Sequence, residues 1–276
     1  MPLPPAANYH VNRACNARCR FCFAVFSEVP GALSRGDALR LIAALAEAGV
    51  EKLNFAGGEP TLWPHLAPAL REARRLGLTT SIVTNGFRLG RVLDQAADCV
   101  DWVGFSVDSW SERTEVALGR GRGDHVARCV ALAARARALG VRVKLNTVLT
   151  ALNADEDLSP LVRAMRPERW KVFQVLPVEG QNDGRVEPLR IDAGALERFR
   201  ARHAPLAAEG FAPVIEDNAA MRGSYAMIDP MGRFFSNASG RHTYSDPILE
   251  LGAVAAFRQV VFDEARFDAR GGRYGW

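Results

Sequence analysis

Three cysteines in the run CNARCRFC, namely Cys15, Cys19 and Cys22, are spaced Cys-x3-Cys-x2-Cys near the N-terminus, with no fourth cysteine nearby. Held on a metal centre, they leave it one protein ligand short. On a [4Fe-4S] cluster that shortage opens one iron to an outside ligand, which for this spacing is usually S-adenosylmethionine, so the chemistry indicated is radical chemistry. The other reading is half of a structural zinc site, completed by His10 or a distant cysteine. Cys99 and Cys129, the remaining two, lack a CxxC partner and read as small buried hydrophobes in helices or at their ends. An odd cysteine count, and a start (MPLPPAAN) without the charged and apolar regions of a signal peptide, argue against a disulfide framework.

Such ligands need a scaffold, and the hydrophobic period supplies one. Strands are expected at 8–12, 52–55, 79–84, 102–107, 141–148 and 169–176, with helices at 34–48, 64–76, 88–97, 125–139 and 156–165 between them. Roughly six βα units in series predict a parallel α/β sheet curled into a barrel or part of one, with the strands' C-terminal ends converging on one face. The chain has 276 residues, 48% of them hydrophobic, enough for one large domain with a full core. No apolar run approaches transmembrane length, so the protein is expected to be soluble and cytoplasmic. A net charge of +4 suits an anionic small molecule as well as nucleic acid.

Strand period two places Asn8, His10 and Asn12 on one face of the first strand, Lys52 with Asn54 on the second and Lys144 with Asn146 on the fifth. The flanking helices need an apolar sheet exterior, which turns these polar faces inward and predicts a wet, basic lumen. Of 35 basic residues only Lys52, Lys144 and Lys171 are lysine, and all three fall in predicted strands. A compact ammonium suits a phosphate oxygen in a confined site where a guanidinium fork does not fit. The alternative is chance placement, with the stems reaching to the rim. Three inward cations predict a polyanionic substrate.

The segments NYHVNRACNARCRFCFA, EKLNFAGGEP, TNG, FSVDS, GRGRGDH, KLNTV and RWKVFQV, in that order and running on to GGRYGW, resemble the viperin family of radical S-adenosylmethionine enzymes over nearly the whole chain. The resemblance implies a partial (βα)6 TIM-like radical SAM barrel over residues 1–180 and a C-terminal extension, 181–276, closing the substrate site. It implies conversion of a nucleoside triphosphate, CTP first with UTP or GTP as alternatives, to its 3′-deoxy-3′,4′-didehydro analogue, a chain terminator in antiviral (antiphage) defence. An electron cleaves the cofactor, the resulting radical takes the ribose 4′ hydrogen, the 3′ hydroxyl takes up a proton and leaves as water, and a second electron completes the product. A donor such as flavodoxin or ferredoxin is implied; binding to a membrane or to nucleic acid is not expected.

By the same resemblance Cys15, Cys19 and Cys22 hold the cluster, and Phe21 shields it. Gly57, Gly58 and Glu59 hold the cofactor's methionine part, with Ser106, Asn146 and Asn85 on its carboxylate or ribose. Lys52, Lys144, Lys171, Arg120 and Arg169 match phosphate contacts, Asn8 a ribose contact, and Tyr225 a catalytic tyrosine near the substrate that assists proton or electron transfer, the alternative being a buried structural tyrosine. Gly119 to Gly123, Gly-Arg-Gly-Arg-Gly before a helix, reads as an anion site or as a solvated basic loop. In one departure, Asn237 stands where animal members carry a cysteine, in a hairpin-like stretch at 231–237, so no hydrogen donation from a thiol operates there. The competing readings are another radical enzyme acting on a nucleotide and a zinc-stapled nucleotide-binding module. No cysteine follows Cys129, which leaves no ligands for a second cluster.

Overall fold

The structure is a computed structural model and describes residues 2–276. Its centre is a ten-stranded sheet in the order β10-β9-β8-β1-β2-β3-β4-β5-β6-β7. The strands are β1 (Ala6–His10), β2 (Lys52–Ala56), β3 (Thr79–Thr84), β4 (Trp102–Ser106), β5 (Arg142–Leu149), β6 (Arg169–Gln174), β7 (Pro213–Glu216), β8 (Ala226–Ile228), β9 (Arg233–Ser236) and β10 (Thr243–Pro247). From β1 to β7 every pairing is parallel, β8 adds to β1 in parallel, and β9 and β10 complete an antiparallel meander. Helices α1 (Arg35–Glu47), α2 (Leu66–Arg75), α3 (Leu89–Ala96), α4 (Glu112–Ala117), α5 (His125–Ala138) and α6 (Ser159–Met165) lie in the first five crossovers, and α7 (Ala193–His203) in the sixth.

The predicted two-faced strands account for the curl. Leu53 and Phe55 of β2, Val103 and Phe105 of β4, Leu145 of β5, and Trp170 and Val172 of β6 are buried in one core with the helices. Removing one such side chain, as in Phe105→Ala, costs about 3–5 kcal/mol. Their alternate neighbours, Asn54, Ser106, Lys144 and Asn146, line a cavity on the other face. The partial barrel and its polar lumen thus follow from period two plus an apolar exterior.

Several boundaries differ from expectation. The first strand is Ala6–His10, not 8–12: Asn12 has left it, donating its side-chain amide to the Glu59 carbonyl at 3.3 Å and starting the cysteine loop. Short α4 and β7 carry too few residues for a periodic signal. The segment after residue 180 supplies β7 to β10 to the same sheet and Ile228, Phe234 and Phe257 to the same core, so it is continuous with the barrel. Among the described residues no helix is long and apolar enough to cross a membrane.

Candidate active site

A cavity of ≈ 290 Å³ opens at the C-terminal ends of the strands and runs into the lumen, bringing together Cys15, Cys19 and Cys22 with Glu59, Ser106, Asn146, Lys144 and Tyr225. At its upper end the cysteine loop lies on the turn after β2. Gly58 N–H donates to the Asn12 carbonyl at 2.7 Å and Glu59 N–H to the Ala14 carbonyl at 2.8 Å. A Cβ at Gly58 would stand 2.4 Å from the Ala14 oxygen, and one at Gly57, whose φ is +156°, 2.8 Å from that of Asn12. The two glycines therefore admit the backbone of the cysteine loop itself. Burial raises all three thiols, Cys19 to about 12. They are poor nucleophiles as thiols and await a cation that favours the thiolate.

Glu59 is buried and already well bonded. Its Oε1 accepts from Thr61 N–H (3.0 Å), Thr61 Oγ1 (2.6 Å) and Thr84 Oγ1 (2.6 Å), and its Oε2 accepts from Asn85 N–H (2.8 Å). Burial still raises its pKa, so an added cation on the open side of Oε2 is favourable. Asn85 is a turn residue, its oxygen accepting from Phe87 N–H at 3.1 Å and its amide donating to Asn16 at 2.9 Å. Phe21 packs against Leu118 and Val175 with the Arg120 guanidinium 5.4 Å from its ring.

Arg120 does not join the strand lysines. Its Nε donates to Asp108 at 2.7 Å, with Glu115 at 3.7 Å, beside Cys19 at the upper end. Burial and the neighbouring Asp108 raise Glu115 to about 8. The Gly-Arg-Gly-Arg-Gly anion site is likewise absent: Glu112 already accepts from the N–H groups of His125 (2.8 Å), Val126 (2.8 Å) and Ala127 (3.2 Å), filling the N-terminus of α5. The glycines serve packing instead, since a Cβ at Gly119 would lie 2.2 Å from the Arg18 oxygen. Neither acid of α4 was assigned a role in the sequence, because a carboxylate that folds back onto a loop outside its own helix leaves no periodic trace.

The lower end is cationic. Sheet register aligns Lys144 with Arg169, and Asn146 with Lys171. Burial first, then Arg142 and Arg169, bring Lys52 down to about 7; burial lowers Lys171 to about 8 and Lys144 well below its ordinary value, the other two lysines adding to the latter. One carboxylate, Glu216 of β7, pairs with Lys171 and stands 3.7 Å from Arg270. Lys52 is enclosed by the Tyr274 ring (4.3 Å) and those of Trp102 and Trp276 (5.1 Å each), and donates to the Tyr274 hydroxyl. Arg169 donates to the Gly271 carbonyl at 2.7 Å and lies 4.0 Å from the Tyr274 ring. The C-terminal GGRYGW, part of the resemblance but given no role, thus closes the lower mouth. A glycine-rich tail with two aromatic residues was the available signal.

The side wall holds Phe23, Phe173, Met221, Tyr225, Met227 and Asn237. Tyr225 donates to Glu216 at 2.5 Å, accepts from Lys171 at 3.1 Å and carries Arg270 at 3.5 Å over its ring. These side chains bridge β7 and the start of β8, which are not paired in the sheet. Asn237 accepts from Gly223 N–H at 3.0 Å, fixing the turn before Tyr225. Asn8 and Asn54 face each other, the Asn54 amide donating to the Asn8 oxygen at 2.8 Å.

The donor set fits a cluster with an organic ligand. Among the described residues no three His, Cys, Asp or Glu side chains meet closely enough to hold a single ion. The three thiols nevertheless share one cavity, as a polynuclear cluster with wider-set ligands requires. His10 Nδ1, Asn54 Oδ1 and Asn146 Oδ1 are buried without hydrogen-bond partners, on side chains lining that cavity. His10 sits among Phe23, Phe26 and Phe235, and its burial lowers it to about 3, so it is a neutral imidazole; it does not meet the loop thiols closely enough to complete a single-ion zinc site.

Residues 9–165 match the Radical SAM superfamily. The chain is 40% identical to an S-adenosylmethionine-dependent nucleotide dehydratase of Flammeovirga pacifica, covering 99% of this chain and 96% of that one. It is 34% identical to the S-adenosylmethionine-dependent nucleotide dehydratase RSAD2 of Danio rerio, over 99% and 78% of the two chains. In fold it is similar to Streptococcus suis SuiB bound to S-adenosylmethionine, with a TM-score of 0.68 at 18% identity over 84% of this chain and 60% of that one. It is also similar to anSMEcpe with bound AdoMet and Cp18Cys peptide, with a TM-score of 0.65 at 14% identity over 96% and 80%. A [4Fe-4S] cluster and S-adenosylmethionine are the cofactors of this superfamily, and the chain belongs to its viperin-like family, the S-adenosylmethionine-dependent nucleotide dehydratases.

Proposed function

We propose that this enzyme removes water from a nucleoside triphosphate, CTP in the first place and otherwise UTP or GTP, giving the 3′-deoxy-3′,4′-didehydro nucleotide. The product, lacking a 3′ hydroxyl, terminates chains in antiphage defence in the cytoplasm. The observation that carries the reading is the lower lumen, where Glu216 pairs with Lys171 and is the one carboxylate acting on Lys144, and Lys52 is depressed by burial among Arg142 and Arg169, beneath a cavity that also holds three thiols. Buried like charges are costly unless a counter-charge arrives, and a triphosphate supplies it.

Cys15, Cys19 and Cys22 would hold the cluster, while Gly57, Gly58 and Glu59 shape the place for the amino group of S-adenosylmethionine. Ser106, Asn146 and Arg120 line the same cavity, Arg120 offering its guanidinium to the cofactor's carboxylate. When bound, cluster and cofactor supply a carbon radical able to take a hydrogen atom from the ribose. The protein's part is placement: Lys144, Lys171 and Arg169 grip the phosphates, Lys52 and the tail close the lower mouth, and Asn8 with Asn54 offers amides to the ribose. Phe23, Phe173 and Met227 form an apolar wall for the base. Tyr225 keeps its proton because burial raises its pKa, and Glu216 and Lys171 fix its hydroxyl. It is therefore placed to hold a proton beside the substrate.

The test is an anaerobic assay of reconstituted protein with S-adenosylmethionine, dithionite and CTP, UTP, GTP or ATP, read by mass spectrometry. Loss of one water from a single triphosphate, with matching 5′-deoxyadenosine, is expected. Production of 5′-deoxyadenosine with all four nucleotides intact overturns the substrate assignment.

A further inference from the structure

The charge of this chain is not spread evenly. Residues 13–22, 85–91 and 118–123 contain seven arginines and no Asp or Glu, while the whole chain carries only +4, so the remainder is net acidic. The three segments form one surface at the upper end of the barrel. Asn85 donates to Asn16 at 2.9 Å, Arg18 N–H to the Gly119 carbonyl at 2.9 Å and Arg20 N–H to the Leu118 carbonyl at 3.0 Å. Arg120 is internal and paired with Asp108, but Arg13, Arg18, Arg88, Arg91 and Arg122 are exposed. Phe87 is 44% exposed with the Arg88 guanidinium 5.6 Å from its ring, and a groove of ≈ 650 Å³ beside it runs between Arg91 and Arg128. Cys15 and Cys19 are themselves only partly covered.

We propose that this arginine-rich face is the docking surface for an acidic one-electron carrier protein. The inference rests on the radical reading of the cysteine loop, because that chemistry draws its electrons from outside the substrate. At each encounter the carrier is oxidised by one electron and the cluster is reduced by one. Three features select such a partner. The face surrounds the loop that holds the cluster, which shortens the electron's path. Its charge is of one sign over the three segments, with Asp124 at the edge held by Arg128, which steers an acidic protein at low salt without a tight, slow-leaving complex. An exposed aromatic ring at its centre supplies the apolar contact that a transient interface needs. The lower-lumen cations are enclosed by protein and take no part.

The experiment compares reconstituted wild type with the R88E/R91E/R122E variant, whose three side chains make no hydrogen bond or ion pair and lie outside the cofactor and substrate sites. Cluster reduction by reduced flavodoxin is followed by stopped-flow bleaching without nucleotide, so that a wrong substrate assignment leaves the readout intact. Iron content and dithionite-driven cleavage of S-adenosylmethionine report whether the variant is folded and loaded. The expected result is a roughly 10- to 100-fold slower second-order reduction by flavodoxin, with normal dithionite chemistry, and a wild-type rate that falls as salt rises from about 0.05 to 0.3 M. Flavodoxin reduction at the wild-type rate in the loaded variant overturns the proposal. Retention of that rate together with loss of binding to a single-stranded oligouridylate would assign the face to nucleic acid instead.

Discussion

The two ends of the lumen balance charge in opposite ways. At the upper end Arg120 is held by Asp108 with Glu115 alongside, and Glu59 has four donors, so nearly every charge is answered within the protein. At the lower end Glu216 pairs with Lys171 and acts on Lys144, and burial together with neighbouring arginines and lysines depresses all three strand lysines. Low-dielectric surroundings make an answered charge rigid and an unanswered one expensive. The upper end answers its arginine within the protein and leaves burial-raised thiols and Glu59 facing the cavity. The lower end leaves its lysines short of counter-charge, which the proposed triphosphate would supply.

The contrast breaks most severely at the upper end. Replacing Cys15, Cys19 or Cys22 by Ala should leave iron content well below that of the parent and abolish 5′-deoxyadenosine formation, measured by iron analysis and chromatography after reconstitution. Gly58→Ala should act almost as strongly through the 2.4 Å conflict with the cysteine-loop backbone, and normal cluster loading would show that the loop yields. Lys144→Leu should lower triphosphate affinity by about 2 to 5 kcal/mol, roughly 30-fold or more, yet raise the melting temperature of ligand-free protein by removing an unanswered charge. Arg120→Ala should do the reverse, destabilising the fold by about 3–5 kcal/mol as the buried Asp108 carboxylate loses its cation, seen in denaturant titration.

The smallest expected effect is a pH dependence. Lys52 and Lys171 titrate near 7 and 8 when folded, against 10.5 for lysine in the unfolded chain. Between these values the unfolded chain binds more protons, so ligand-free stability should rise with pH from about 7 to about 10.5. Triphosphate affinity should fall across the lower part of that range, since the ammonium forms are the ones that bind. A melting temperature that falls from pH 7 to 9 would sink this account of the lysines.

Much of this was legible in residue order. The period-two faces of Lys52-Leu53-Asn54 and Lys144-Leu145-Asn146 gave a polar lumen, because alternation is local and survives whatever the strand pairs with. The scarcity of lysine marks the lower end, since all three lysines of the chain meet there. Side-chain partners were not legible: Arg120 resembles a phosphate ligand by position, and only the tertiary approach of Asp108 and Glu115 turns it to the upper end. Nor was the closure between β7 and β8, which rests on Glu216, Tyr225 and Arg270 meeting from distant segments.

The central claim is that the lower lumen awaits a triphosphate. Calorimetric titration of cluster-reconstituted, S-adenosylmethionine-loaded protein at pH 8, with CTP, CMP and cytidine in two buffers of different ionisation enthalpy, tests it directly. The expected outcome is binding of CTP at least about 100-fold tighter than CMP, with net proton uptake as the lysines recharge. Equal affinity for CTP and cytidine, with no buffer dependence, would contradict it.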